Sequence, residues 1–102
     1  MIEKRNLIAT LLRRLEGLPA GHCLDVRSYK RDRGFLLIKL DGQTTRLVED
    51  GFEKQRLDVA AADLKKTLKT MVKREFPRSN KLRVYDLGEY EAGAEAMPRK
   101  VL

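Results

Sequence analysis

The sequence predicts an α+β fold, a two-layer α/β sandwich with two helices packed on one face of an antiparallel meander sheet. Three observations predict it. Apolar residues recur with the period of an amphipathic helix near both ends, from Glu3 to Glu16 and from Val59 or Ala60 to Glu75. The segment between them alternates apolar and polar residues and is interrupted by turn signals at Lys30–Gly34, Asp41-Gly42 and Asp50-Gly51. A further alternating run, Lys81–Leu87, follows the second helix. The expected order is α-β-β-β-(β)-α-β.

In the first helix Ile8, Leu11, Leu12 and Leu15 form one apolar stripe, which Leu7 and Leu18 widen. Gly17 is placed for a left-handed stop, and Pro19 prevents the helix from resuming.

The hairpin that follows is expected to pair Val26 with Ile38. That register sets Leu24 opposite Leu40 and Ser28 opposite Leu36 on one face. On the other face it sets Asp25 opposite Lys39, Arg27 opposite Leu37 and Tyr29 opposite Phe35. A two-residue turn at Asp41-Gly42 then places Leu36 opposite Leu47 inside, with Phe35 meeting Val48 outside. The outer face is expected to carry Arg27, Tyr29, Phe35, Leu37, Lys39 and Arg46.

Phe52–Val59 is a candidate fourth strand. Asp58 is expected to cap the second helix and Pro77 to close it. Ala61, Leu64, Leu68, Met71 and Val72 make its buried stripe. Glu75 falls inside that stripe, where a carboxylate has no apolar rationale.

The 102 residues suit one domain, expected over 1–87, with residues 88–102 as a C-terminal tail. There are 22 basic and 15 acidic residues, for a net charge of +7. The excess is uneven: residues 1–84 hold 20 basic and 11 acidic groups, and the remainder holds 2 and 4. The body of the domain is therefore more basic than the whole, and negative partners are expected. No apolar run is long enough for a membrane span. Arg13 and Arg14 interrupt the apolar stretch that a signal peptide needs. The one cysteine, Cys23, permits no internal disulfide, so a reducing cytoplasm is the expected compartment.

No catalytic constellation is legible. His22 and Cys23 are the one histidine and the one cysteine, and neighbours in a strand point to opposite faces. They cannot act as nucleophile and base or jointly grip a metal. Four Cys or His ligands for zinc do not exist, and no glycine-rich phosphate loop occurs. The expectation is no enzyme, no cofactor and no metal.

Basic groups are the one enriched chemistry. Lys30, Arg31 and Arg33 occupy the hairpin loop. Lys66, Lys69 and Lys73, flanked by Lys65, share one side of the second helix. Lys73, Arg74, Arg78, Lys81 and Arg83 crowd the residues that follow, against the single acid Glu75. Such rows repel themselves and are relieved by a polyanion that releases its counterions.

These clusters point to a nucleic-acid-binding module that contacts the backbone of RNA or DNA. An alternative is a protein-interaction or homo-oligomeric subunit, possible as a homodimer, using Arg27, Tyr29, Phe35, Leu37 and Val48 as an interface or base-stacking face. The order helix, three-strand meander, helix resembles double-stranded-RNA-binding domains and the Alu-binding signal-recognition-particle proteins in order alone. The motifs of those families are absent and no membership is inferred.

Overall fold

The computed structural model describes residues 2–28, 30, 33–50 and 54–89. Its elements in chain order are β1 (Ile2–Glu3), α1 (Lys4–Gly17), β2 (His22–Arg27), β3 (Gly34–Lys39), β4 (Thr44–Asp50), β5 (Lys54–Ala60), α2 (Ala61–Glu75) and β6 (Lys81–Glu89). The six strands form one sheet in the order β1-β6-β2-β3-β4-β5, and every neighbouring pair is antiparallel. The meander β2 to β5 and both helices match the expected order, with β1 added. After α2 the chain crosses to the far side of the meander, where β6 pairs with β2. No described helix is long and apolar enough to cross a membrane.

The core lies between the helices and one sheet face. Leu7, Leu11 and Leu15 recur every four residues along α1, and Leu64, Leu68, Met71 and Val72 line α2; all are buried. From the sheet they meet Leu24, Val26, Phe35, Leu37, Leu47, Val59 and Leu82. Phe76, just beyond α2, stacks obliquely on Phe35 with ring centroids 5.9 Å apart.

That pair exposes the main correction. Val26 pairs with Phe35 and Leu24 with Leu37, three positions from the expected register. An odd slip turns a strand over. Phe35 and Leu37 therefore point into the helix-covered core, both fully buried, while Leu36 and Ile38 face outward. The next hairpin slips by one, with Leu37 opposite Leu47, so β2 and β4 keep their expected faces and β3 alone is inverted.

Two local causes are visible. Gly34 is the first residue of β3 rather than the end of a loop, because a Cβ there would collide with the Val26 carbonyl and the Arg27 side chain. The Asp41-Gly42 turn is longer than two residues. The Asp41 carboxylate accepts the N–H groups of Gln43 at 2.7 Å and Thr44 at 2.8 Å, and Leu40 N–H closes the loop on the Thr44 carbonyl at 3.1 Å. A side-chain-closed turn of this kind needs no positive φ.

Smaller expectations also change. Gly17 is the last residue of α1, and the chain leaves through Leu18 in an extended conformation, without a left-handed stop. Asp58 does not cap α2, whose N-cap is Ala60. It lies in β5, where it accepts from Arg46 Nε at 2.7 Å across the strand pair. The fourth strand starts at Lys54; Phe52 and Glu53 lie outside the described residues. β6 runs on through Gly88, at φ 74°, to Glu89, which reaches two residues into the segment expected as tail. Residues 90–102 lie outside the described residues.

Candidate polyanion-binding groove

α1 and α2 lie antiparallel, so the N-terminal end of the first meets the C-terminal end of the second. Two hydrogen bonds tie these ends. Lys4 N–H donates to the Asn80 carbonyl at 2.8 Å, and Lys4 Nζ donates to the Phe76 carbonyl at 2.6 Å. The second places an ammonium on a carbonyl just past a helix C-terminus, where the dipole favours a cation.

Between the two ends lies an open groove of 610 Å³. α1 contributes Lys4, Arg5 and Ile8, α2 contributes Lys69, Val72 and Lys73, and the start of β6 contributes Lys81, with Glu3 and Asn80 at the rim. Five cations thus face one carboxylate. That carboxylate, Glu3, is bound to Arg5 Nε at 2.8 Å, an exposed pair of small energetic consequence. Lys69, Lys73 and Lys81 are exposed, and no described carboxylate pairs with them.

The first turn of α1 adds to the imbalance. It holds no acidic residue, its N-cap Glu3 makes no side-chain capping bond, and Lys4 and Arg5 sit where a helix dipole disfavours cations. The dipole argues against basic residues at this end, and a bound anion would reverse the sign of the local interaction.

The structure sorts the expected basic residues. Lys69, Lys73 and Lys81 come together in the groove. Lys65 is exposed one turn before Lys69. Lys66 does not line the groove; it borders a separate cleft against β5, beside Asp58 and Asp63. Arg74 is directed at the sheet, where it binds Glu49 at 2.6 Å and 2.9 Å, so its charge is compensated within the fold. Arg78 is exposed in the segment before β6. Lys30 is exposed in the β2–β3 turn, Arg33 is half-buried, and Arg31 lies outside the described residues.

The strand pairings set that turn at the same end of the sheet as the groove: Arg27 pairs with Gly34 on one side and with Arg83 on the other, two residues beyond Lys81. Lys30 and Arg33 therefore lie at the same end of the sheet as the groove, whereas Lys66 borders the other cleft and Arg74 turns to Glu49.

Lys4 and Arg5 were not legible as site residues from the apolar stripe of α1. The available signal was a helix start with two cations and no acid in its first turn, which matters only once α2 is known to end beside it.

The outer sheet face differs from expectation. Its apolar residues are Cys23, Leu36 and Ile38, buried, with Leu40 and Val48 packed beside them. Arg27 lies on this face as expected, but it is buried and bound to Asp25 at 3.2 Å. Phe35 and Leu37 are on the other face, and Tyr29 lies outside the described residues, so no aromatic pair forms a stacking platform there among the described residues.

Burial, with help from Asp25 and Asp86, pushes the Cys23 thiol up to about 11. A thiol held protonated is a poor nucleophile and a poor metal ligand. Among the described residues no group of three or more His, Cys, Asp or Glu side chains could hold a metal ion.

The chain matches no protein-family model, no curated protein and no solved structure.

Proposed function

We propose that this chain is a nucleic-acid-binding module that grips the phosphate backbone through the groove between the N-terminus of α1 and the C-terminus of α2. The observation that carries the proposal is the gathering of Lys4, Arg5, Lys69, Lys73 and Lys81 around one open groove with Glu3 as its single carboxylate. Phosphate contacts of this type position a ligand without reading its bases. Lys30 and Arg78, exposed at the same end of the sheet, extend the contact surface beyond the groove. A reducing compartment such as the cytoplasm suits a chain whose one thiol is buried and protonated.

Binding to generic duplex and single-stranded RNA and DNA across a salt series tests this. The expected dissociation constant is on the order of 10⁻⁴ to 10⁻⁶ M, and it weakens as salt rises, with a log–log slope of about −0.9 per phosphate neutralised on duplex DNA. The combined charge reversal Lys69→Glu, Lys73→Glu and Lys81→Glu should abolish binding, whereas Lys66→Glu should change it by less than about threefold at moderate salt. Wild-type protein that fails to bind any of the four nucleic acids at low salt, or a triple variant that binds as wild type, overturns the proposal.

A further inference from the structure

β5 closes one end of the sheet: it pairs with β4 along its whole length, and among the described strands none lies beyond it. The ladder shows which of its backbone groups are left open. Ala61 N–H donates to the Gln43 carbonyl at 2.8 Å, one step beyond the Thr44–Ala60 pair. Antiparallel pairs alternate between bonded and unbonded, so Leu57 and Val59 direct their N–H and C=O groups to β4. Those of Arg56 and Asp58 point away from it, to the open edge. Natural sheets blunt such an edge with a bulge, a proline, a covering segment or charge. β5 relies on charge alone: its register against β4 is unbroken, and Lys54, Arg56 and Asp58 are exposed.

Those charges are self-complementary. Two copies of one strand pair antiparallel about a two-fold axis normal to the sheet, which sets like-facing residues opposite each other, so the axis passes through a residue. Centred on Arg56 or on Asp58, it would bring two guanidiniums or two carboxylates face to face. Centred on Gln55, it would oppose Lys54 to Arg56. Centred on Leu57, it pairs all seven residues of β5 and sets Arg56 of each copy opposite Asp58 of the other. Asp58 accepts Arg46 Nε at 2.7 Å, and its side chain, 47% exposed, keeps lone pairs for a second guanidinium. Leu57 pairs with Leu47 and packs, half-buried, toward the helices. With Val59, Thr67, Thr70 and Met71 it lines the 550 Å³ cleft between β5 and α2, which shares no residue with the cationic groove.

We propose that β5 is a dimerisation edge, to which a second copy of this chain adds its own β5 antiparallel, with Leu57 on the two-fold axis. The backbone groups of Arg56 and Asp58 exchange hydrogen bonds between the copies. The two Arg–Asp pairs fix the register, and the two Leu57 side chains meet on the helix-bearing face. The groove residues take no part, so the dimer forms without nucleic acid.

Sedimentation of the protein alone, from low micromolar to submillimolar concentration, tests this. The wild-type mass should rise toward twice that of one chain. Arg56→Asp opposes carboxylates at both pairs and should weaken association at least about tenfold, as should Asp58→Arg, which opposes guanidiniums. An equimolar mixture of the two variants should associate as wild type does, because each charge then meets its opposite. Should either variant not fold, Leu57→Cys under mild oxidation decides. In an unbonded antiparallel pair the Cα atoms lie about 4.5 Å apart, within disulfide reach, so this variant should cross-link to itself. Lys54→Cys, about 20 Å from its counterpart along the strand, should not. A wild-type chain that stays monomeric throughout overturns the proposal and leaves the edge to an extended segment of another protein. A dimer that Arg56→Asp leaves intact, a mixture of folded variants that stays monomeric, or equal cross-linking of the two cysteine variants overturns it as well.

Discussion

Arg74 reaches from the last turn of α2 to β4 and holds Glu49 through two hydrogen bonds, of 2.6 Å and 2.9 Å. The Glu49 side chain is fully buried, while that of Arg74 is 33% exposed. The pair is therefore anchored in the core and only partly wet. It fixes the end of α2, and thus the position of Lys73, one residue from Arg74, relative to the sheet. The first prediction concerns its removal. Arg74→Met should lower stability by about 2–4 kcal/mol, because it strands a buried carboxylate; the exposed side of the arginine places the loss below the largest values for a fully buried pair. The double change Arg74→Met with Glu49→Gln should recover much of that loss. Urea unfolding of the three proteins measures it, and a single variant as stable as wild type contradicts the assignment.

A second prediction is acid sensitivity. Burial raises the Glu49 carboxyl, but the hydrogen bonds from Arg74 and Gln55 help to outweigh it, and the group is held below its ordinary value. A depressed folded value means that the stabilisation is complete above the unfolded glutamate range and is lost as pH falls through the folded value. Wild-type protein should therefore lose stability below about pH 4.3, more steeply than Glu49→Gln. Thermal melts of both proteins between pH 2.5 and pH 6 provide the comparison. Parallel profiles would show that Glu49 does not drive the acid loss.

The third prediction uses the strand register. Gly34→Ala should be strongly destabilising, on the order of 3 kcal/mol, because a methyl group there has to displace the Val26 carbonyl from its ladder position. Phe35→Ala should cost about 3–5 kcal/mol, as for a large buried aromatic, and not the small change of a surface residue. Equilibrium unfolding of each variant checks both, and near-wild-type stability for Phe35→Ala would restore the other register.

The inversion of β3 shows where the sequence stops being informative. The helices are legible because the apolar period of Leu7, Leu11 and Leu15, or of Leu64, Leu68 and Met71, admits one buried face. Phe35-Leu36-Leu37-Ile38 is apolar on both faces, so alternation cannot say which side meets the helices. What decides is tertiary: Phe76 offers Phe35 an aromatic partner, and Gly34 lets the strand begin one residue early against β2. Neither fact is local to the hairpin. The site divides in the same way. Lys69, Lys73 and Lys81 are legible as a cationic row, but Arg74 leaves it for Glu49. Lys4 and Arg5 join it only because the two helices run antiparallel and their opposite ends meet.

The last prediction concerns Cys23. It is fully buried on the sheet face away from the helices, opposite Ile38 and in one cluster with Leu36, and its thiol is raised to about 11. Alkylation requires both access and thiolate, and the folded protein restricts both. At pH 8 the native protein should react with iodoacetamide at least a hundredfold more slowly than the urea-unfolded chain, since a two-unit rise in thiol pKa alone lowers the thiolate fraction by about that much. The raised value also has a stability consequence of definite sign. The contribution is complete below the unfolded thiol's value, near 8.5, and is lost as pH rises toward 11. Cys23→Ala should therefore lose less stability than wild type between pH 8.5 and pH 11, whatever its stability at pH 7. Rapid alkylation of the native chain, at a rate close to that of the unfolded one, would mean that the outer sheet face opens to solvent, and the burial argument for Cys23 would fail with it.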